Sequence, residues 1–198
     1  MRNEKLYAVI RAAFFAALDY VFAMFQIHVP SPVGHPFVDL GFTFVALGTM
    51  FLGFKYGFIS GAVGLGVFDL LNGYANHAYL TVMEVLLLTA AVAVSYRLLN
   101  RNDGLSSPSL ITIGIVSGLV KMFSGYLRYL AESLIDAGLP FGKAAVTALA
   151  AFPADFATGF VMFFAVPVFF VVMSRVTSRM NQHRGKGTFV AKYSSPFN

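Results

Sequence analysis

Ionisable side chains lie inside long apolar stretches of this sequence, and they constrain its fold more than any other feature. Lys121 and Arg128 interrupt a run that otherwise has the character of a membrane-spanning helix, and Glu84, Asp69 and Asp155 interrupt other runs of the same kind. Charged groups are costly in hydrocarbon, so they face a bundle interior or a wet cavity. The pattern predicts an all-α, polytopic membrane protein that holds or passes a polar ligand in its centre.

The composition agrees with a membrane protein built as one bundle. The chain has 198 residues, of which 58% are hydrophobic and 12% charged, whereas a soluble domain is about half apolar and a quarter charged. There are no cysteines, which excludes disulfides and thiolate metal sites. The first apolar run is long and lacks a clear cleavage site, so we expect a retained span rather than a signal peptide. We expect a single membrane domain over 1–198, with a basic cytoplasmic tail over 175–198.

Six transmembrane helices in one bundle are expected, because a span needs about 20 apolar residues. They are placed at about 6–27, 37–54, 56–72, 77–98, 109–134 and 144–174. The segment 28–36 is rich in Pro and Gly and cannot continue a helix. Lys55 is expected to mark a tight turn between the second and third spans. Pro153 and Pro167 are each expected to be able to kink the sixth.

The distribution of basic residues predicts the orientation. Six spans put both termini on one side of the membrane, and Lys143 is the one cation expected on the opposite face. Cytoplasmic loops carry an excess of Lys and Arg, so we expect a multi-pass protein of the plasma membrane with both termini cytoplasmic. The cations at or near that face are Arg2, Lys5, Arg11, Lys55, Arg97, Arg101, Arg175, Arg179, Arg184, Lys186 and Lys192.

The intramembrane charges are expected to meet in one pocket. With a rise of about 1.5 Å per residue, Glu84, Arg128 and Asp155 all fall in the outer half of the membrane. Lys121 lies seven residues before Arg128 and shares its helix face, and Gly125 leaves room beside them. These four charged residues are the main candidates for substrate binding.

Further candidates surround that pocket. Tyr126, Tyr129 and Tyr79 are expected to add aromatic walls, and Asp39 either lines the mouth or caps the second span. Three polar residues are expected near the outer mouth: Asn72, Asn76 and His77. His28 and His35 are interpreted as loop residues, since two histidines alone make a weak metal site.

A purely structural interpretation of the charges remains open. Arg128 and Glu132 have the i, i+4 spacing of an intrahelical pair, and Lys121 can bridge to Asp155 or Glu84. Buried charges are often mutual partners with no ligand involved. Asp69 is expected near the outer end of the third span, where it can cap the turn that follows.

Small residues on two spans indicate close helix packing. The first span carries Ala12, Ala13, Ala16 and Ala17, and the third carries Gly57, Gly61, Gly64 and Gly66. Small residues let helices approach closely in a membrane. We expect the glycines to pack internally, whereas the alanine patch has two open interpretations, internal packing or contact with a second membrane protein.

The chain lacks the motifs of the common enzymes. Gly185-Lys-Gly-Thr188 does not have the spacing of a phosphate-binding loop, and no HExxH or GxSxG motif is present. No clear inverted repeat of the kind that builds many transporters is found. We therefore expect that the chain has no catalytic residues and is neither an enzyme nor an ATPase. We expect a binding subunit whose movement is driven by other proteins. A self-sufficient small-solute transporter is the alternative.

The order of several sequence blocks over residues 5–175 resembles the substrate-binding S component of an energy-coupling factor (ECF) vitamin transporter. The blocks are Ala12-Ala-Phe-Phe-Ala-Ala-Leu18, Val38-Asp-Leu-Gly-Phe-Thr-Phe-Val45, Phe51-Leu-Gly-Phe-Lys-Tyr-Gly-Phe-Ile-Ser-Gly-Ala62, Phe68-Asp-Leu-Leu-Asn-Gly-Tyr74, Tyr129-Leu-Ala-Glu-Ser-Leu134 and Phe152-Pro-Ala-Asp-Phe156.

The resemblance implies a function and a set of partners. Such subunits bind a vitamin near the outer face, in a pocket lined by spans 4, 5 and 6 and the loop between spans 1 and 2. They associate with a transmembrane coupling protein and two cytoplasmic ATPases, which use ATP and Mg²⁺, so this chain would need no cofactor and no nucleic acid. The alanine motif, here Ala12 and Ala16 or Ala13 and Ala17, would contact the coupling protein.

The identity of the vitamin depends on which charges reach it. Many relatives carry Pro-x-Asn where this chain has Pro153-Ala-Asp155. Carboxylates suit amino or ring N–H donors, so Glu84 or Asp155 favours hydroxymethylpyrimidine or a B6 vitamer such as pyridoxine. Arg128 and Lys121 favour a carboxylate ligand such as pantothenate. If the acids and bases neutralise each other, both preferences weaken.

Overall fold

Five long apolar helices and one short strand pair form the part of the chain that this computed structural model describes, residues 2–28, 37–100 and 105–183. All five helices are long and apolar enough to cross a membrane. In chain order the elements are α1 (Arg2–Ala23), β1 (Ile27–His28), β2 (Phe37–Val38), α2 (Gly41–Leu71), a 3₁₀ turn (Ala75–His77), α3 (Ala78–Leu99), α4 (Ser107–Ile135) and α5 (Phe141–His183).

Helix α2 contains the second and third of the expected spans and reverses direction at Gly53. The φ and ψ angles of Gly53, 79° and 174°, are non-helical and lie in a region of backbone conformation that residues other than glycine rarely adopt. Gly57 packs against Thr49 and Gly41 against Leu65, so the two halves lie antiparallel. The turn therefore lies at Gly53 and not at Lys55. The structure has five spanning helices in the described residues where six were expected.

The reversed helix packs through glycines, as the sequence predicts. A side chain at Gly57 would lie 2.6 Å from the Thr49 Cα, and one at Gly61 would meet Val45. Gly64 packs against the carbonyl group of Ala16 in α1. Internal packing is thus confirmed for three of the four glycines, whereas Gly66 faces open space.

Helices α4 and α5 approach closely through a second set of small residues, which was not predicted from the sequence. Gly118 lies against the backbone carbonyl of Gly159, and Gly114 lies against Pro167. Both prolines of α5 lie inside one helix that extends to His183, nine residues beyond the predicted end at 174. The close contact of α4 and α5 brings Lys121 next to Asp155.

The hydrophobic core lies between all five helices and borders the polar region. Large side chains that are almost fully buried include Phe42, Phe68, Leu47, Leu65, Leu88, Ile113 and Met162. Strands β1 and β2 pair antiparallel, with Ile27 opposite Val38 and His28 opposite Phe37. This pairing holds the chain before Asp39 close to the end of α1, and so it positions one wall of the site.

Candidate functional site

A cavity of about 220 Å³ lies between the start of α2, the turn after α2 and helices α4 and α5. Its lining combines aromatic rings with charged groups. The lining residues are Phe37, Asp39, Phe42, Gly73, Tyr74, Asn76, His77, Lys121, Arg128, Tyr129, Glu132 and Asp155. The structure thus brings together Asp39, Lys121, Arg128 and Asp155, four of the residues that the sequence predicts for a substrate site.

Lys121 is the centre of the charged wall. Its amino group donates to Glu84 Oε1 and to Asp155 Oδ1, both at 2.7 Å. It also lies 4.3 Å from the centroid of the Phe42 ring, within the range of a cation–π contact. Lys121 is 3% exposed and Glu84 2%. The ammonium group is therefore neutralised by protein carboxylates from α3 and α5.

Arg128 extends the same chain of ion pairs towards the mouth. Its Nη1 donates to Glu84 Oε2 at 3.1 Å and to Thr81 Oγ1 at 2.9 Å. Its Nε donates to Glu132 Oε1 at 3.0 Å, which confirms the predicted i, i+4 pair. Thr81 in turn donates to the carboxylate of Asp69. The Asp69 side chain thus accepts a hydrogen bond from Thr81 of α3 and does not cap the turn that follows α2, as had been expected.

The ion pairs confirm the structural pairing that the sequence left open. Glu84, Asp155 and Glu132 surround Lys121 and Arg128, and the pairs tie α3 and α5 to α4. Breaking one member of a buried pair leaves an uncompensated charge, so these residues depend on each other. Glu84 does not line the cavity. It lies behind the two cations and acts as their shared counter-ion.

Gly125 makes the position of Asp155 possible. A side chain at residue 125 would overlap the carboxylate of Asp155. Asp155 is 3% exposed, and its Oδ2 has no hydrogen bond partner among the described residues. The room that the sequence predicts beside Gly125 is therefore filled by this carboxylate.

Asp39 both lines the cavity and caps the start of α2, so both of the alternatives left open by the sequence are found. Its Oδ1 accepts from the backbone N–H of Gly41 at 2.7 Å. Its own backbone N–H donates to Thr158 Oγ1 of α5 at 3.0 Å. Asp39 precedes the apolar span that begins at Gly41. Burial raises the pKa of the Asp39 carboxyl from 3.8 to about 7, although Lys121 and the Gly41 N–H act in the opposite direction.

The aromatic wall differs from the predicted one. Tyr129 lines the cavity as expected, but Tyr79 is 51% exposed and Tyr126 packs beside Tyr129 outside the lining. Phe37, Phe42 and Tyr74 line it instead. Phe42 could have been found from the sequence, because it lies three residues after Asp39 in the block Val38–Val45.

The turn between α2 and α3 forms part of the cavity lining. Asn76 and His77 line the cavity as predicted, whereas Asn72 bonds to the Phe68 carbonyl at 2.8 Å outside the lining. His77 Nε2 lies 2.8 Å from Asp136 Oδ2 at the end of α4. His28 Nε2 lies 3.3 Å from the Tyr74 hydroxyl. His35 lies outside the described residues, and within them no group of three or more His or acidic residues is arranged to hold a metal ion.

The two alanine pairs of α1 face different directions. Ala12 is 6% exposed and Ala16 is half-buried against Gly64 of α2. Ala13 and Ala17 are exposed on the other side. Both pairs were candidates for partner binding, but the first already packs within this chain. The second pair is the one available on the surface.

Comparisons with known proteins agree with this architecture. The sequence model of the family "ECF-type riboflavin transporter, S component" matches residues 3–175. A solved structure described as "Structure and mechanism of the S component of a bacterial ECF transporter" superposes with a TM-score of 0.59. The two sequences are 16% identical, and the match covers 89% of this chain and 98% of the solved chain. The two proteins therefore share a fold. No curated protein matches the chain.

The family match covers most of the chain and settles its class. S components are substrate-binding transport subunits and not enzymes, and the ATPases of the associated ECF module hydrolyse ATP. The long apolar helices agree with a membrane protein of this class. This chain belongs to the ECF-type riboflavin transporter S component family.

Proposed function

We propose that this chain is the high-affinity vitamin-binding subunit of an ATP-driven ECF importer, and that its ligand is a small nitrogen heterocycle such as hydroxymethylpyrimidine or pyridoxine. The observation that carries the proposal is the cavity wall, in which carboxylates outnumber cations and both cations are already bound by carboxylates. Such a wall favours a ligand that brings N–H donors or positive charge.

The size of the cavity supports a single-ring ligand. Its volume of about 220 Å³ is below the roughly 300–1,000 Å³ that is usual for pockets of drug-sized ligands. Phe42 and Tyr129 on its lining offer rings on which a heteroaromatic ligand can stack.

Riboflavin is the second candidate, because the matching family is named for it. Its three fused rings and ribityl chain need more room than the cavity offers, so riboflavin would require the mouth to open. Pantothenate is less favoured than the sequence alone suggested. A carboxylate ligand would have to compete with Glu84, Glu132 and Asp155 for Lys121 and Arg128.

The arrangement in the membrane completes the proposal. We assign the chain to the plasma membrane with both termini cytoplasmic and with six crossings, the two halves of α2 on either side of Gly53 counting separately. The first half, 41–52, would span only about 18 Å at a rise of about 1.5 Å per residue, so it would be the shortest of the six crossings and would require a locally thinner bilayer. The coupling protein and two ATPases, with ATP and Mg²⁺, would act from the cytoplasmic side, and Ala13 and Ala17 of α1 would contact the coupling protein.

The direct test is to purify the chain in detergent from cells grown in rich medium and to identify co-purified small molecules by mass spectrometry. A stoichiometric pyrimidine or pyridoxine supports the proposed ligand class. Bound flavin, visible from its absorption spectrum, would establish the second candidate. An empty protein that binds none of these vitamins would overturn the proposal. Sustained uptake into vesicles that contain this chain alone, without ATP, would instead identify a self-sufficient transporter.

A further inference from the structure

Asp39 differs from the other acids that line the cavity in how it is paired. The lining contains three acidic residues, Asp39, Glu132 and Asp155. Glu132 pairs with Arg128, and Asp155 pairs with Lys121. Among the described residues, Asp39 forms no ion pair. Asp39 is thus the one acid of the described lining that has no ion-pair partner among the described residues, although Lys121 and the Gly41 N–H favour its ionised form.

The position of Asp39 is fixed from two sides. The Gly41 N–H holds its Oδ1 at 2.7 Å, and its backbone N–H is bound to Thr158 at 3.0 Å. A side chain at Gly41 would lie 2.9 Å from Asp39 Oδ1, so the glycine keeps this approach open. A carboxylate held in this way presents a preorganised acceptor to the cavity, because ligand binding would not have to order it.

The surrounding charges make the pocket electronegative. In the ion-pair chain, three carboxylates surround two cations, and Asp39 adds a fourth acid. Asp69 and Glu84 also lie close enough to oppose ionisation of the Asp39 carboxyl. A ligand that carries a positive charge or a strong N–H donor would relieve this excess, whereas an anionic ligand would increase it.

We propose that Asp39 determines the specificity of the site by accepting a charge-assisted hydrogen bond, through Oδ2, from a cationic or amino-bearing nitrogen heterocycle. This inference rests on the proposed function, because it assumes that a ligand occupies the cavity. In this proposal Asp39 discriminates between ligands. Lys121, Glu84 and Asp155 instead hold helices α3, α4 and α5 together around the ligand.

The test uses two probes that differ in one group. The first is hydroxymethylpyrimidine with its amino group on the ring, and the second is the analogue with a hydrogen atom in place of that amino group. Binding of both is measured by calorimetry on the full chain in detergent, together with pyridoxine and riboflavin, at about pH 8, which is above the Asp39 pKa of about 7. The wild-type chain is expected to prefer the amino probe by about 10- to 100-fold, the range of a charge-assisted hydrogen bond.

The variant Asp39→Asn keeps an oxygen acceptor for Gly41 but removes the charge, so it is expected to lose most of this preference. Asp136→Asn is the matched control. Asp136 is a half-exposed acid directly after α4 that does not line the cavity, so this variant is expected to keep the wild-type preference.

Four outcomes overturn the inference in distinguishable ways. Equal binding of the two probes by the wild-type chain overturns it without any variant, so it stays testable even if Asp39→Asn does not fold. An unchanged preference in a folded Asp39→Asn removes Asp39 from the role. Binding of riboflavin but of neither pyrimidine overturns the inference while the importer function stands. Failure of the wild-type chain to bind any of the four compounds overturns both proposals.

Discussion

The carboxylate of Asp155 occupies the space into which a side chain at Gly125 would project. Helix α4 can therefore carry Lys121 into bonding distance of Asp155 on α5, because residue 125 has no side chain to keep the two helices apart. A glycine at this position thus determines the geometry of an ion pair one turn away.

Replacing Gly125 by Ala is expected to displace Asp155 and to lower stability by about 1–3 kcal/mol, the usual cost of overpacking a close contact. The thermal unfolding midpoint in detergent measures the change. Gly66→Ala is the matched control, since residue 66 of α2 has open space around it. A Gly125→Ala variant as stable as Gly66→Ala would show that Asp155 moves aside without cost.

Replacing Lys121 by Met is expected to cost about 3–5 kcal/mol, because Glu84 and Asp155 would remain buried without their cation. Unfolding in denaturant checks this value, with the exposed Lys143→Met as the control. Adding Asp155→Asn to Lys121→Met is expected to recover part of the loss, because it removes one uncompensated charge. Purely additive losses would mean that the two residues are not coupled.

Replacing Ala13 or Ala17 by Leu is expected to leave vitamin binding unchanged and to weaken assembly with the ECF module. Both residues are exposed on α1, so a larger side chain disturbs a partner and not this fold. Co-purification with the tagged module measures assembly. Ala12→Leu provides the contrast, since Ala12 is 6% exposed and its substitution is expected to lower stability instead. Normal assembly of both exposed-site variants would place the docking surface elsewhere.

The stability of the chain is expected to depend on pH through Asp39. Its pKa rises from 3.8 to about 7 on folding, with burial as the main cause, Lys121 opposing the rise, and Glu84 and Asp69 adding to it. The folded state thus retains a proton that the unfolded state loses, so this contribution to stability falls as pH rises between these values.

Asp39→Asn removes that dependence. Its stability relative to the wild-type chain is expected to increase by up to about 1.4 kcal/mol per pH unit as pH approaches 7, and then to become constant. Unfolding midpoints of the two chains, measured from about pH 5 to about pH 8, check the slope. A difference that does not vary with pH would contradict a raised pKa at Asp39.

The charged centre of the site was predictable from sequence, because buried ionisable residues in a membrane bundle must find partners or solvent. Lys121, Arg128 and Asp155 accordingly lie on one cavity. Glu84 was expected on the cavity, and it does contact both cations. It lies behind them, however, because spacing along one helix does not reveal which charge stands in front of another.

Other errors have local physical causes. Tyr79 was expected in the wall, yet it is exposed, because a single tyrosine does not indicate how its helix is rotated. The turn in α2 was expected at Lys55, whereas the backbone needs a positive φ there and therefore uses Gly53. The end of α5 was predicted at residue 174, where the apolar residues stop. The helix continues through polar sequence to His183, because backbone hydrogen bonding does not require apolar side chains.

The shared ion pairs restrict how this pocket can evolve. Lys121 pairs with Glu84 and Asp155, and Arg128 pairs with Glu84 and Glu132. Substituting Lys121 would leave Asp155 without its cation, and substituting Arg128 would leave Glu132 without its cation. A lineage adapting to a new vitamin would have to replace these residues in compensating groups. Single-step divergence is open instead at positions such as Phe37 and Tyr74, which touch the cavity without belonging to the network.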